Sequence, residues 1–155
     1  MQLVSKKVRS LFPSGVTIIA TLDADGAPHG FTASSFSWLS RQPPLVVFCL
    51  ACDATSFPVF AIAEGFSVNI LQPAHQELAM RFATKGIDKF AGGEFLYRDG
   101  GYPALPDALV TLQCRVRERM HGGGHLFVVG EVTQSRIAED GAPMVLYGNA
   151  FQTLP

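Results

Sequence analysis

The sequence predicts a mainly β fold in which short antiparallel strands close, or nearly close, into a barrel. Apolar and polar residues alternate with a period of two over several short runs, which is typical of strands. Turn-forming sequences such as Asp23-Ala24-Asp25-Gly26 and Asp140-Gly141-Ala142-Pro143 separate these runs. Only a few short stretches have helical spacing. We expect a single domain over residues 1–155, because no linker, repeat or low-complexity segment interrupts the chain.

The first segment predicts a short helix and then a β-hairpin. Residues 4–12 have loosely helical spacing, and Pro13-Ser14-Gly15 ends the pattern. Residues 16–22 alternate with a period of two, which predicts a strand with one buried face. The turn at residues 23–26 would return the chain along a second strand, residues 28–32.

A short polar run, residues 32–36 (Thr-Ala-Ser-Ser-Phe), leads toward the strongly apolar residues 45–50. We call residues 32–36 the ledge. Its hydroxyls are short, Ala33 would let a flat molecule approach the main chain, and successive amides in a turn can bind an anion. The ledge is therefore a candidate ligand-binding segment. A Ser-rich connection between two strands is the alternative interpretation.

The middle of the chain predicts a buried strand and a short helix. Pro43-Pro44 requires extended backbone before residues 45–50, whose continuous apolar character predicts a strand covered on both faces. Thr55 and Ser56 precede a run with proline in its first turn and Gly65 at its end, which predicts a capped helix. Hydroxyls at a helix start can also donate to a phosphate, so capping and phosphate binding both remain open.

Another strand, a helix and a long loop follow. Residues 66–71 alternate, and residues 75–84 have helical spacing. The apolar side of that helix would consist of Leu78, Ala79 and Phe82. Residues 87–106 have no clear periodicity and hold several aromatic residues, which is typical of a loop that covers a site. Lys89 in this loop could meet a phosphate, whereas a solvated surface lysine is the ordinary interpretation.

The last third of the chain predicts three more strands, residues 108–119, 126–133 and 144–147. The first two would be joined by the turn His121-Gly122-Gly123-Gly124-His125. His125 follows three glycines and starts a strand, so its ring could stand at the rim of a cleft. A lone histidine on a flexible surface hairpin is the alternative interpretation.

The composition and net charge argue against some classes of function, among them nucleic-acid binding and membrane insertion. With 48% hydrophobic and 16% charged residues, some apolar surface should enter a subunit interface or a cofactor pocket. With a net charge of −1, the chain lacks the excess of positive charge that nucleic-acid-binding proteins use to bind phosphates. No apolar run has the roughly 20 residues that span a bilayer, and the N-terminus lacks a signal-peptide pattern. We therefore expect a cytoplasmic protein without membrane contact.

Familiar catalytic and metal motifs are missing from the sequence. The three cysteines fit a reducing compartment, and without a second pair Cys49 and Cys52 are better explained as buried or half-buried thiols than as a redox or zinc element. No serine lies in a nucleophile elbow, and the one i, i+4 pair of histidines, His121 and His125, spans three glycines of a turn rather than one face of a helix. These observations favour a bound cofactor that brings its own reactivity.

The order of features resembles the flavin reductase-like family on the FMN-binding split β-barrel, the reductase components of two-component flavin monooxygenases. The resemblance runs from about Val8 to Phe151. Its elements are Ser14-Gly15-Val16-Thr17-Ile18, Gly30-Phe31-Thr32-Ala33-Ser34-Ser35-Phe36, Ser40 to Leu45, Phe66-Ser67-Val68-Asn69-Ile70-Leu71, Leu78, Phe82-Ala83, Asp88-Lys89-Phe90, Gly124-His125, Gly130-Glu131-Val132 and Pro143 to Tyr147. Each element alone is weak evidence for the family, but their order and spacing together are specific to it.

This resemblance implies a split β-barrel of the Greek-key type, in a homodimer that binds flavin near the subunit interface. The flavin would be FMN or FAD, reduced by NADH or NADPH for use by an oxygenase partner. Residues implied for flavin are Thr32, Ala33, Ser34, Ser35 and Phe36 at the ring, and Asp53, Thr55, Ser56, Phe82, Lys89 and Phe90 around the ribityl phosphate. His125 would lie against the nicotinamide nucleotide.

One position departs from the family pattern. Many members have Gly-Asp-His where this chain has Gly123-Gly124-His125, so the histidine is kept and the aspartate is replaced by glycine. A flavin-binding electron carrier or sensor, without productive nucleotide binding, therefore remains an alternative. A barrel that binds pyridoxal phosphate or haem, or a purely structural dimer, is a more distant one.

Overall fold

The computed structural model describes residues 3–155. Within these residues the helices are α1 (Lys6–Ser10), α2 (Phe57–Phe60) and α3 (Gln76–Phe82), and a 3₁₀ turn, Pro73–His75, leads into α3. The strands are β1 (Ser14–Gly15), β2 (Thr17–Leu22), β3 (Pro28–Ala33), β4 (Ser37–Arg41), β5 (Pro44–Ala51), β6 (Gly65–Ile70), β7 (Val110–Gly122), β8 (His125–Ile137), β9 (Met144–Tyr147) and β10 (Ala150–Thr153).

All strand pairs are antiparallel, which confirms the mainly β, antiparallel prediction. Seven strands form one sheet in the order β3-β2-β6-β7-β8-β5-β4, and β1, β9 and β10 form a second, small sheet. In the described residues β3 and β4 are the two edges of the large sheet, so its hydrogen bonding is not closed. The ledge connects these two edge strands and therefore lies at the opening between them.

The core has two parts, one on each side of β2. Ile19 packs into the cluster inside the large sheet, whereas Ile18 packs into a second cluster with α3 and the loop after it. The prediction of one buried face for residues 16–22 is therefore wrong, because Thr17, Ile19 and Thr21 are buried as well. The cause is that α3 and its following loop cover the outer face of this strand.

Other expectations about strands and helices also differ from the structure. In β5 the buried residues alternate with half-buried ones, so only one face is fully covered, and the other face borders a cleft. The helices α1 and α2 are shorter than predicted, and β1, β4 and β10 were not predicted at all. Strand β4 is almost wholly exposed, so it lacks the alternating pattern by which strands are recognised.

The long loop between α3 and β7 agrees with the prediction. Its regular structure is limited to one bridge between Leu96 and Ala104 in the part of the chain that is described. Phe82 of α3 packs edge-on against Phe90 of this loop, with ring centroids 4.9 Å apart. No helix within residues 3–155 is long and apolar enough to cross a membrane.

Candidate functional site

A cleft of about 740 Å³ lies beside the ledge, between the outer face of β5 and the segments after β3, β5, α3 and β7. It brings together predicted residues that are far apart in sequence. Those that line it are Thr32, Ala33, Ser34, Ser35, Thr55, Ser56, Phe82, Lys89 and His125. The further lining residues Arg9, Phe31, Cys49, Leu50, Ala51, Ala54, Ala83, Lys85, Gly122, Gly123 and Phe127 were not predicted as site residues.

The remaining predicted residues lie beside this cleft or away from it. Phe36 packs edge-on against Trp38, with ring centroids 5.4 Å apart. Phe90 packs against Phe82 and Phe95 in the second core cluster. Asp53 is an exposed residue of the turn after β5. None of these three residues lines the cleft, so their role in flavin binding stays a prediction.

Two of the three ledge hydroxyls are bound within the protein. Thr32 Oγ1 donates to the carbonyl of Ala79 at 2.5 Å. Ser35 Oγ accepts from the amide of Cys49 at 3.1 Å and donates to the carbonyl of the same residue at 3.0 Å. The Ser34 hydroxyl makes no hydrogen bond to residues 3–155 and is exposed on the cleft wall. Ser34 is therefore the ledge hydroxyl available to a ligand.

The main chain of the ledge also offers donors. No hydrogen bond within the described residues uses the amides of Ser34, Ser35 or Phe36. Three successive unpaired amides beside a cleft can donate to carbonyl oxygens or to a developing negative charge on a ligand. The ledge therefore presents unpaired main-chain donors beside the cleft, and their use by a ligand stays a prediction.

The start of α2 contains a buried hydroxyl without a partner. Ser56 occupies the N-cap position, but its side chain makes no capping hydrogen bond, so the predicted capped start is wrong. Its Oγ is buried and has no partner among residues 3–155. A buried polar group left unpaired costs about 1–3 kcal/mol, so this hydroxyl fits a bound acceptor such as a phosphate oxygen. Thr55 beside it is exposed on the cleft wall.

The cleft is electropositive. Arg9, Lys85 and Lys89 line it, and none of its described lining residues is an aspartate or glutamate. Lys89 Nζ donates to the carbonyl of Gly30 at 3.2 Å, which holds this side chain against β3. Partial burial, and then the charge of Lys85, lower the pKa of Lys89. A phosphorylated ligand would relieve this repulsion by supplying the missing negative charge.

His125 lies at the rim of the cleft, at the turn between β7 and β8. Gly123 and Gly124 have φ values of +57° and +73°, which suits the two-residue hairpin turn that pairs Gly122 with His125. His125 Nδ1 lies 3.0 Å from the carbonyl oxygen of Gly123. A carbonyl can only accept, so this contact assigns the proton of the neutral ring to Nδ1 and leaves Nε2 as an acceptor.

The cysteines and carboxylates do not form a metal or disulfide site in the described residues. Cys49 and Cys52 are half-buried free thiols, and Cys114 is a buried free thiol. Burial raises the pKa of Cys49, which favours its neutral thiol on the cleft wall. No group of three potential metal ligands lies close together within residues 3–155.

A second cleft, of about 830 Å³, lies on the outer face of β7 and β8. It contains none of the predicted site residues. Two of its polar side chains have internal partners: Gln113 bonds both main-chain groups of Tyr102, and Arg136 donates to Leu105 and Thr111. Although this cleft is larger, the smaller one has the buried, unpaired Ser56 Oγ and the unpaired amides of the ledge, and it is the better candidate for a ligand site.

Two sets of cleft residues were missed by the sequence reasoning. Arg9 belongs to a short helix with no motif, and Lys85 follows α3 as an ordinary surface lysine. No local pattern could have identified either, because both reach the cleft only through folding. Cys49 and Phe127 were missed because they belong to apolar strands, although the alternation of β5 indicates which side chains leave the core.

The chain matches the family model described as "Flavin reductase like domain" over residues 8–155. It is 45% identical over 142 residues to the actinorhodin polyketide dimerase of Streptomyces coelicolor, covering 92% of this chain and 80% of the relative. It is 42% identical over 142 residues to the NADH:riboflavin 5'-phosphate oxidoreductase of Streptomyces pristinaespiralis, covering 90% of this chain and 81% of the relative.

A third relative is a component of a larger system, and a solved structure shares the fold. The chain is 39% identical over 140 residues to the reductase component of a 4-nitrophenol 4-monooxygenase/4-nitrocatechol 2-monooxygenase of Rhodococcus opacus, covering 90% of this chain and 74% of the relative. The NADH:FAD oxidoreductase of Streptomyces globisporus, solved in complex with NAD and FAD fragments, superposes with a TM-score of 0.89 at 28% identity. That superposition covers 97% of this chain and 90% of the other.

Proposed function

This chain belongs to the flavin reductase-like family, and we propose that it uses NADH to reduce a flavin for a partner monooxygenase. It is an oxidoreductase. The observation that carries the proposal is the electropositive cleft with the free amides of the ledge at one side and His125 at its rim. The relative that is a monooxygenase reductase component supports the oxygenase partner.

The cleft fits a phosphorylated flavin. The buried, unpaired Ser56 Oγ and the cations Arg9, Lys85 and Lys89 suit a phosphate, whether of FMN or of FAD. When bound, flavin supplies the hydride acceptor and the nicotinamide nucleotide supplies the hydride. The free amides of the ledge would donate to the ring where negative charge develops during the reaction.

The chain's own contribution is to orient two flat rings rather than to move protons. No carboxylate lines the cleft among the described residues, so no acid-base group of that kind is positioned there. The cleft would hold nicotinamide and flavin in contact, which can supply several kcal/mol of the rate enhancement through orientation alone. His125 Nε2, as an acceptor, would receive a hydrogen bond from the carboxamide or a ribose hydroxyl of the nucleotide.

We extend the proposal to assembly and location. Large apolar side chains remain exposed on α1 and β4, including Val8, Trp38 and Leu39, and burying them in a homodimer would remove this surface from water. The free thiols fit the reducing cytoplasm. The homodimer agrees with what the family resemblance implies, and sedimentation tests it. The cytoplasmic location agrees with the cysteine content of the sequence, and fractionation of the source cells tests it.

An anaerobic bleaching assay tests the reductase function. The purified protein is mixed with FMN or FAD, NADH or NADPH is added, and the loss of the visible flavin band is compared with a protein-free control. Catalysed bleaching by NADH is the expected result, and the pairing with the highest kcat/KM identifies the preferred flavin and nucleotide. Flavin binding without bleaching would contradict the proposal and favour the carrier or sensor, as the glycine at position 124 would then mark lost nucleotide use.

A further inference from the structure

We propose that Ser35 is a positioning residue, which keeps the ledge open for the flavin by bonding the main chain of Cys49 with its side chain. The inference rests on the proposed function, because it concerns how the same cleft receives its ligand. Ser35 would act through the main-chain amides of the ledge, and its own hydroxyl would not need to contact the flavin.

The first observation that supports this role is the register between β4 and β5. Strand β4 begins opposite β5, with Ser37 paired to Val47. In an antiparallel ladder the next pair of the same kind lies two residues along each strand, which places residue 35 opposite Cys49. Strand β4 begins only at Ser37, so residue 35 does not form that pair with Cys49.

The Ser35 side chain takes the place of the missing pair. Cys49 donates its amide to Ser35 Oγ at 3.1 Å, and Ser35 Oγ donates to the Cys49 carbonyl at 3.0 Å. One hydroxyl thus satisfies both main-chain groups that a paired residue would otherwise bond. The opposite neighbour of Cys49 is Phe127 in β8, so this part of β5 is held from both sides.

The consequence is a main chain that leaves the sheet. If residue 35 were paired through its backbone, its amide would be used by Cys49 and the ledge would become an extension of β4. Instead, the amides of residues 34–36 make no hydrogen bond within the described chain. The side-chain bond therefore holds the segment in place and leaves its donors available to a ligand.

The ledge is anchored at Thr32 and at Ser35 to two different elements that line the cleft. Thr32 is bonded to Ala79 of α3, and Ser35 is bonded to Cys49 of β5. Ser34 lies between the two anchors and has no partner among residues 3–155. Without the second anchor the amides would be free to move away from the cleft or to pair with β5.

Two measurements on Ser35→Ala test this role. Hydrogen exchange of the Cys49 amide, followed without flavin, should become about tenfold faster, because the amide loses its acceptor. The Kd for FMN, measured by fluorescence quenching, should rise about tenfold. With flavin at saturation, the KM for NADH should stay at the wild-type value, because the nucleotide side of the cleft is unchanged.

Ser35→Thr and Ser34→Ala are the matched variants. Ser35→Thr keeps the hydroxyl and should restore both the slow exchange and the wild-type Kd, which a general loss of stability would not do. Ser34→Ala removes the neighbouring hydroxyl and should leave the exchange of the Cys49 amide unchanged. Circular dichroism of each variant checks that the fold is retained.

The outcomes separate this inference from the proposed function. Faster exchange at Cys49 with an unchanged Kd for FMN would overturn the positioning role, and so would a Ser35→Thr variant that behaves like Ser35→Ala. Unchanged exchange in Ser35→Ala would overturn the bond itself. If the wild-type protein binds flavin but NADH does not reduce that flavin, the reductase function is refuted and this inference still stands.

Discussion

The hydroxyl of Thr32 lies 2.5 Å from the carbonyl oxygen of Ala79, and this hydrogen bond ties the end of β3 to α3. The two residues are distant in sequence, so the bond is a tertiary contact that sets where the ledge begins. The Thr32 hydroxyl proton is committed to this bond. A contact of Thr32 with flavin would therefore use its methyl group or its main chain.

Removing this bond should reduce stability. Thr32→Val keeps the side-chain shape but cannot donate, so Ala79 loses one of the two donors to its carbonyl, the other being the amide of Ala83. We expect the free energy of unfolding to fall by about 1 kcal/mol. Urea denaturation measures this change. The Ser34→Ala variant is the control, expected within about 0.5 kcal/mol of wild type, and an equal loss in both variants would contradict the assignment.

The cleft cations should select phosphorylated flavins. We expect Arg9→Gln and Lys85→Gln each to raise the KM for FMN by about threefold to tenfold, while the KM for riboflavin changes little. The reason is the loss of attraction to the phosphate, so high salt should reduce the difference between variants and wild type. Steady-state kinetics at two ionic strengths measure both effects.

Lys6→Gln is the matched control for charge. Lys6 is on the same helix as Arg9 but does not line the cleft. Its replacement changes the net charge by the same amount and should leave both KM values unchanged. An equal effect of Lys6→Gln would show that overall charge, rather than the cleft, attracts the flavin.

His125 should affect the nucleotide and not the flavin. We expect His125→Ala to raise the KM for NADH about fivefold to tenfold, which corresponds to the loss of one hydrogen bond, with an unchanged Kd for FMN. His121→Ala is the control, because His121 packs against Phe57 near the other end of the same turn and does not line the cleft. A rise in the Kd for FMN in His125→Ala would contradict the division of roles.

Alkaline pH should destabilise the protein through Cys114. Burial raises the pKa of this thiol from 9.0 to about 12. Between these values the unfolded chain loses the proton while the native chain keeps it, so stability is full below pH 9.0 and falls as the pH rises toward about 12. The slope from this one group approaches about 1.4 kcal/mol per pH unit.

Urea denaturation between pH 7 and pH 10.5 measures the slope. Cys114→Ala should be less stable at pH 7, because it leaves a small cavity, but its stability should depend less on alkaline pH. Part of the slope should remain, because burial also raises the pKa values of Cys49 and Tyr102. A variant with the same slope as wild type would show that Cys114 is not the cause.

The sequence predicted strands where one face is buried and turns where the residue types demand them. It did not predict β4, because an exposed edge strand has no alternation of buried and exposed residues. It also assigned one buried face to residues 16–22, since the covering of Ile18 and Ile19, which lie on opposite faces, depends on which elements pack against each side.

In the candidate site, too, some features follow from the sequence and others only from the tertiary structure. The sequence by itself determined the family, the ledge with its hydroxyls, and the histidine after three glycines, because these are local patterns of residue type and spacing. Only the tertiary structure decided that Thr32 and Ser35 are bonded within the protein while Ser34 is left for a ligand, and that Arg9 and Lys85 share one cleft. The physical reason is that hydrogen-bond partners and neighbouring charges come from segments that meet only when the chain has folded.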